Sequence, residues 1–363
     1  MDEDGSEQDP SRDGASRRVF LRRAALGGLG VAGLGMGGHQ VASAAGLHSH
    51  ATPGDDAVVM AGHGTEAYPD GRGVVGDAAV AANYGHGAAP PLDLPPSMLD
   101  DVTFPPPRDD QPPGALREYE VDVLETSLQV AHDTVVDAWT YGGGTPGPIL
   151  RATEGDTLRV TVNNRTERPH NLHLHGRHSP QMDGWEPIPP GESFTYEVTA
   201  EPFGIHPYHC HTPPLAVHIA KGLYGAFIID PPEPRPPATE VVLLLSGWDL
   251  DGDGRNELST WNGIAGWYQR HPITVPVGEL VRVYVLNMTE HEPIGSFHLH
   301  AQTFDVFWHG TSTTPDLHAD TIALTQGDRA IVEFTLPERG RYMFHPHQHH
   351  LADAGAMGWF AAV

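Results

Sequence analysis

The chain has 363 residues, with Lys+Arg 21 against Asp+Glu 47 and a formal net charge of −26, and Lys221 is its only lysine. That balance excludes a nucleic-acid binder, whose phosphates need basic partners; it suits solubility, a salt-rich habitat or attraction of cationic substrates. With one cysteine, Cys210, no intrachain disulfide can form, so cysteine usage does not report the redox compartment.

Length allows two domains once the front end is trimmed. Ser16-Arg17-Arg18-Val19-Phe20-Leu21-Arg22 precedes a weakly apolar run from Ala24 to Gly38, and Ala42-Ser43-Ala44 offers a small-residue cleavage site. This has the form of a twin-arginine export signal over residues 1–44, which predicts a secreted, periplasmic or cell-surface protein. The apolar run is too short and Gly-rich for a permanent membrane anchor. Residues 45–116 are rich in Gly, Ala, Pro and Asp and read as a flexible arm. His48, His50, His63 and His86 lie there; scattered solvated histidines explain them better than an accessory metal site.

From about Arg117 short alternating segments begin. Tyr119 to Leu124, Thr157 to Val162 and Ser193 to Val198 alternate apolar and polar residues, and turn clusters such as Gly142-Gly143-Gly144 and Glu154-Gly155-Asp156 separate them. Strands at that spacing predict a β-sandwich over residues 117–232, closed by Leu223 to Asp230. The Pro-rich stretch 231–237 is a stiff linker, and a second sandwich over 233–363 runs from Val241 to Val363. The halves repeat one order of parts, with Glu154-Gly155-Asp156…His173-Leu174-His175 mirrored by Val277-Gly278-Glu279…His298-Leu299-His300, which indicates duplication at domain scale. The acidic run Asp249 to Glu257 has oxygen ligands at spacings near those of a calcium loop, but it lacks the full pattern and reads as an acidic turn.

Four clusters carry the chemistry. They are His170-Asn171-Leu172-His173-Leu174-His175; His209-Cys210-His211 followed by His218 and Leu223; His298-Leu299-His300; and His345-Pro346-His347-Gln348-His349-His350. On a strand, alternate side chains point to opposite faces, so each His-x-His pair shares a face and Cys210 faces away from His209 and His211. Eight imidazoles in four same-face pairs can hold several metal ions. His170, Cys210 and His218 form a two-His-one-Cys group of the blue-copper type. A thiolate on one face and imidazoles on the other make this strand a covalent link between two metal centres.

These motifs resemble the multicopper oxidases, specifically the two-domain laccase-like kind, over residues 117–363 together with the export signal. The resemblance implies an all-β fold of two cupredoxin-like Greek-key sandwiches and four coppers per chain. It assigns His170, Cys210 and His218 to a type 1 copper, with Leu223 as a non-ligating axial residue that raises the potential. His173 and His298 match the type 2 ligands, and His175, His209, His211, His300, His345 and His347 the type 3 pair. Pro346 stands where a cysteine would sit in the second domain, which confines the type 1 site to the first. The implied activity is one-electron oxidation of a small reducing substrate (a phenol, an aromatic amine or a metal ion) near His218, coupled through Cys210, His209 and His211 to four-electron reduction of O2. Asp183 is a candidate acid for proton supply, a turn residue being the alternative. Each domain holds half of the cluster ligands, so a cluster forms where a first-type and a second-type domain meet; the resemblance implies a homotrimer with clusters between chains, and assembly within one chain is the alternative. Two rival readings are a copper-containing nitrite reductase, which leaves His173, His211, His300 and His345 unexplained, and a non-catalytic copper-binding protein.

Overall fold

The computed structural model describes residues 65–67, 73–75, 94, 95, 98–109 and 111–363. The export signal and most of the arm, including His48, His50, His63 and His86, lie outside the described residues. Among the described residues no helix is long and apolar enough to cross a membrane.

A short ribbon pairs β1 (Thr65–Ala67) with β2 (Gly73–Val75). Helix α1 (Asp100–Thr103) follows and ties to the second sandwich through a 2.6 Å hydrogen bond between Thr103 Oγ1 and Tyr268 Oη. The first sandwich comprises β3 (Leu116–Ala131), β4 (Thr134–Tyr141), β5 (Leu150–Thr153), β6 (Thr157–Asn164), β7 (His173–Leu174), β8 (Ser193–Thr199), β9 (Gly204–His209) and β10 (Tyr224–Asp230). Its sheets have the orders β4-β3-β6-β8 and β5-β10-β9-β7. Helix α2 (Leu215–Ala220) bridges β9 and β10. The second sandwich comprises β11 (Thr239–Trp248), β12 (Leu258–Trp261), β13 (Ile273–Val275), β14 (Leu280–Asn287), β15 (Ile294–Leu299), β16 (Phe304–Trp308), β17 (Leu317–Ala319), β18 (Thr321–Thr325), β19 (Arg329–Thr335), β20 (Gly340–His345) and β21 (Gly358–Ala362). Its sheets run β12-β11-β14-β19-β16-β17 and β13-β21-β20-β15-β18, with helices α3 (Trp267–Arg270) and α4 (His349–Asp353) at the connections. This is a mostly β, cupredoxin-like architecture with few helices.

The alternating segments become half-buried strands. Val121 and Val123 on β3, Leu158, Val160 and Val162 on β6, and Tyr196 and Val198 on β8 face one core, while Glu118, Glu120 and Glu197 face out. The continuous apolar runs behave differently because both of their faces are covered. Phe227 and Ile229 of β10 enter the first core, whereas Tyr224, Ala226 and Ile228 pack on Val242, Leu244, Tyr284, Leu286 and Ile331 of the second sandwich. A buried ionic ladder flanks this contact. Arg151 donates to Asp230 (2.7 Å) and Glu240 (2.7 Å), and Glu240 also accepts from Tyr284 Oη (2.6 Å) and Arg282 (3.3 Å). The acidic run from Asp249 folds on itself, its carboxylates accepting the N–H groups of Leu250, Gly252, Asp253, Gly254 and Arg255.

Strand register decides which histidines face each other. β7 pairs with β9 so that His173 lies opposite His209, and β15 pairs with β20 so that His298 lies opposite His345.

Candidate metal centre

The His-Cys-His triplet does not run along one strand throughout: β9 stops at His209, and Thr212-Pro213-Pro214 turns the chain into α2. Alternation survives the boundary because Cys210 N–H still donates to Leu223 O (3.0 Å), keeping the backbone extended beside β10. Cys210 is therefore fully buried in the first core, while His209 and His211 turn to the opposite face.

On the buried side, Cys210 Sγ lies 3.2 Å from His218 Nδ1 and 3.9 Å from His170 Nδ1, and the two Nδ1 atoms are 3.2 Å apart. His170 comes from the loop after β6, and α2 carries His218 back over the cysteine. His170 and His218 are 0% and 5% exposed. Burial holds His170 neutral, its pKa lowered to about 4, with the facing His218 adding to the effect. Burial raises the Cys210 thiol. Three soft or borderline donor atoms thus converge in a dry pocket with no protein acceptor that satisfies them all, and His170 Nε2 is buried without a partner. One thiolate with two imidazoles is the donor chemistry that suits copper. Leu223, fully buried in the same core as Cys210, offers no ligand atom.

On the other side, His173, His175, His209 and His211 form a quartet. His175 Nε2 is 3.1 Å from His209 Nε2, and the His173 ring lies 5.0, 5.2 and 5.3 Å from those of His175, His209 and His211. The second sandwich repeats it. His300 Nε2 is 2.9 Å from His345 Nε2, and the His298 ring lies 4.8, 5.4 and 5.1 Å from those of His300, His345 and His347.

Tautomers follow from the hydrogen bonds. His173 and His298 direct Nδ1 at the carbonyl oxygens of Asp183 (2.9 Å) and Asp320 (2.8 Å). His209 and His345 direct Nδ1 at the carbonyls of Cys210 (3.0 Å) and Pro346 (2.7 Å). A carbonyl only accepts, so each of these Nδ1 atoms carries the proton and Nε2 keeps its lone pair for a metal. The same pair of contacts at matched positions in both halves is the strongest sign that the quartets share a purpose. Burial depresses the pKa of His175 to about 2 and of His209 and His345 to about 4, so all three stay neutral at pH 7.

Among the described residues no ring contact or hydrogen bond joins one quartet to the other. Asp183 ends a 3₁₀ turn (Pro180–Met182) and places its carboxylate 3.4 Å from His173 Nδ1 and 3.7 Å from His178 Nε2.

Sequence reasoning missed the residue that couples the sides. Asn171 is 0% exposed; its Oδ1 accepts from His211 N–H (2.6 Å) and lies 3.5 Å from Cys210 Sγ, and its Nδ2 donates to Gly184 O beside Asp183. An asparagine between candidate ligands carries no periodic signal. His178, donating to Leu174 O at 2.8 Å, was missed likewise.

Two cupredoxin-like sandwiches holding a buried thiolate–imidazole trio and paired histidine quartets define a class of copper protein. Residues 122–234 and 236–363 match two multicopper oxidase family profiles. The chain belongs to the multicopper oxidase family, as a two-domain member. A solved multicopper oxidase structure shares 37% identity, covering 83% of this chain and 93% of its own at a TM-score of 0.67. Copper-containing nitrite reductase of Neisseria meningitidis is 27% identical over 290 residues, 72% of this chain and 74% of its own. Multicopper oxidase MmcO of Mycobacterium tuberculosis is 38% identical over 128 residues, 34% of this chain and 25% of its own. Family members are copper-dependent oxidoreductases that use O2 and reducing substrates.

Proposed function

We propose that this chain is a laccase-like oxidase that binds four coppers: one at His170, Cys210 and His218, and three shared between a His173/His175/His209/His211 quartet and a His298/His300/His345/His347 quartet. Copper bound there supplies one-electron oxidation of phenols, aromatic amines or metal ions and four-electron reduction of O2 to water. The observation that carries this reading is the matched pair of quartets with Nε2 lone pairs fixed by backbone carbonyls, one of them flanking the thiolate.

The chain's own residues divide the work. The peptide bonds from Cys210 to its two neighbours give an all-covalent path from Sγ to the His209 and His211 rings. Asn171 holds that turn rigid by accepting His211 N–H. A cavity of about 670 Å³ lined by Val135, Asp137, Val217, Lys221, Trp248 and Asp249 opens against α2, the helix that carries His218, and offers a small donor a place to dock. Asp183, within reach of His173 and His178, is placed to pass protons toward the quartet face. Among the described residues no contact joins the two quartets, which supports a cluster completed by a neighbouring copy in a closed head-to-tail trimer. The twin-arginine front end exports the folded, metal-loaded chain to a secreted, periplasmic or cell-surface location.

The similarity to nitrite reductases raises that alternative, but a reaction at a lone histidine-bound copper uses fewer imidazoles than the eight gathered here. Copper-replete protein decides the matter. Expected are about four coppers per chain, a blue absorbance, oxygen consumption with a phenolic donor and no matching loss of nitrite, from material that elutes as a trimer. Nitrite loss without oxygen uptake, or one to two coppers per chain, would overturn the reading.

A further inference from the structure

A positive charge stands over the buried trio. The Trp139 indole on β4 lies edge-on to both imidazoles, with ring centroids 5.2 Å from His170 at 68° and 4.8 Å from His218 at 61°. It therefore walls the trio on one side. Its backbone N–H donates to Lys221 O (2.8 Å), locking β4 to the end of the helix that carries His218. Over the indole sits the Arg168 guanidinium, with Cζ 5.4 Å from the ring centroid. A cation over an indole face is attracted by the ring quadrupole.

The Arg168 backbone is pinned as well. Its carbonyl accepts from Asn164 Nδ2 (2.6 Å) and Thr166 Oγ1 (3.0 Å), and its N–H donates to Thr166 Oγ1 (3.2 Å). Among the described residues no carboxylate pairs with the guanidinium, so its charge is not cancelled locally.

We propose that Arg168, seated on Trp139, is a positioning residue that raises the reduction potential of a copper held by His170, Cys210 and His218. The inference rests on the proposed assignment of that trio to copper. Reduction adds one electron to the centre, and a fixed cation favours the more negative state. The rest of the chain works the other way, since its net charge of −26 disfavours an added electron. Leu223 offers no axial donor, so a local charge acts beside the burial and hydrogen bonding around the Cys210 sulfur. Arg168 is itself exposed, so bulk water screens part of its charge, and the indole is the group that stands against both it and the imidazoles.

The test is an anaerobic redox titration of the copper-loaded full chain, following the blue absorbance at fixed ionic strength. Arg168→Gln should lower the midpoint, so that the reduced-to-oxidised ratio at the wild-type midpoint falls about tenfold, equivalent to ~59 mV for one electron. Arg168→Lys should keep most of the wild-type value. In a Trp139→Leu background the effect of Arg168→Gln should shrink to less than half, and raised salt should shrink it further. Blue absorbance with an unmoved midpoint in Arg168→Gln overturns this inference alone. An Arg168 effect that is undiminished without the indole overturns the role of Trp139. Protein that never develops the blue absorbance overturns both this inference and the copper assignment beneath it.

Discussion

Asn171→Ala removes an amide that serves three partners at once. The His211 N–H loses its 2.6 Å acceptor and Gly184 O loses its donor, both where Asn171 is 0% exposed. An unpaired buried polar group costs about 1–3 kcal/mol, so two of them bring about 3 kcal/mol after partial relaxation. At about 2–4 °C per kcal/mol for a body of this size, the melting temperature should drop by about 6–12 °C. Measuring metal-free protein by circular dichroism and urea unfolding keeps copper out of the comparison. Asn171→Asp gives a second reading: the carboxylate still accepts from His211 but cannot donate to Gly184, and it sets a negative charge 3.5 Å from the sulfur. It should retain part of the stability while weakening the blue absorbance. A drop under about 2 °C in Asn171→Ala would show that this amide does not brace the turn, and would remove the structural reason for a rigid path out of Cys210.

Cys210→Ser should abolish the blue absorbance and one copper per chain while leaving the histidine-bound coppers in place, checked by metal analysis. Gly225→Ala should destabilise by about 1–3 kcal/mol, because the new methyl meets the Tyr208 ring and hydroxyl, in urea unfolding of metal-free protein. Arg151→Met should cost about 3–5 kcal/mol by leaving Asp230 buried without its ion-pair partner and Glu240 with Arg282 alone, a loss visible in the urea midpoint. Metal-free protein should lose stability in acid. His170 and His206 have pKa values of about 4, below their ordinary 6.5, so the unfolded chain binds protons first. Their contribution is complete above about pH 6.5 and is lost as pH falls toward 4, so a urea midpoint that stays flat from pH 7.5 to 4.5 would contradict it.

Much of the fold and the site was legible in the residues alone. The alternation of Thr157 to Val162 and Ser193 to Val198 announced half-buried strands because a period of two fixes which side chains meet the core. The His-x-His spacing announced same-face imidazoles for the same reason. What stayed hidden depends on long-range contacts. The apolar runs at Tyr224 to Asp230 and Val241 to Leu245 read as strands, but nothing local said that Ile228 and Leu244 would face each other across two sandwiches. Asn171, Trp139 and Arg168 gave no signal, since their importance lies in what folds against them. The extended backbone just past His209 was also invisible, because its partner, Leu223 O, is brought up from across the turn and helix that follow.

The facing positions of His173 with His209, and of His298 with His345, restrict how such a chain can change over generations. Sliding one strand by a single residue would turn a whole set of imidazoles inward and throw the sulfur outward. Insertions in a connection that touches neither quartet, as in the 250–256 stretch, leave that facing untouched. Lineages of this protein should therefore differ freely in loop length and hardly at all in the count of residues between partners on one strand, a pattern that a set of related sequences can display directly.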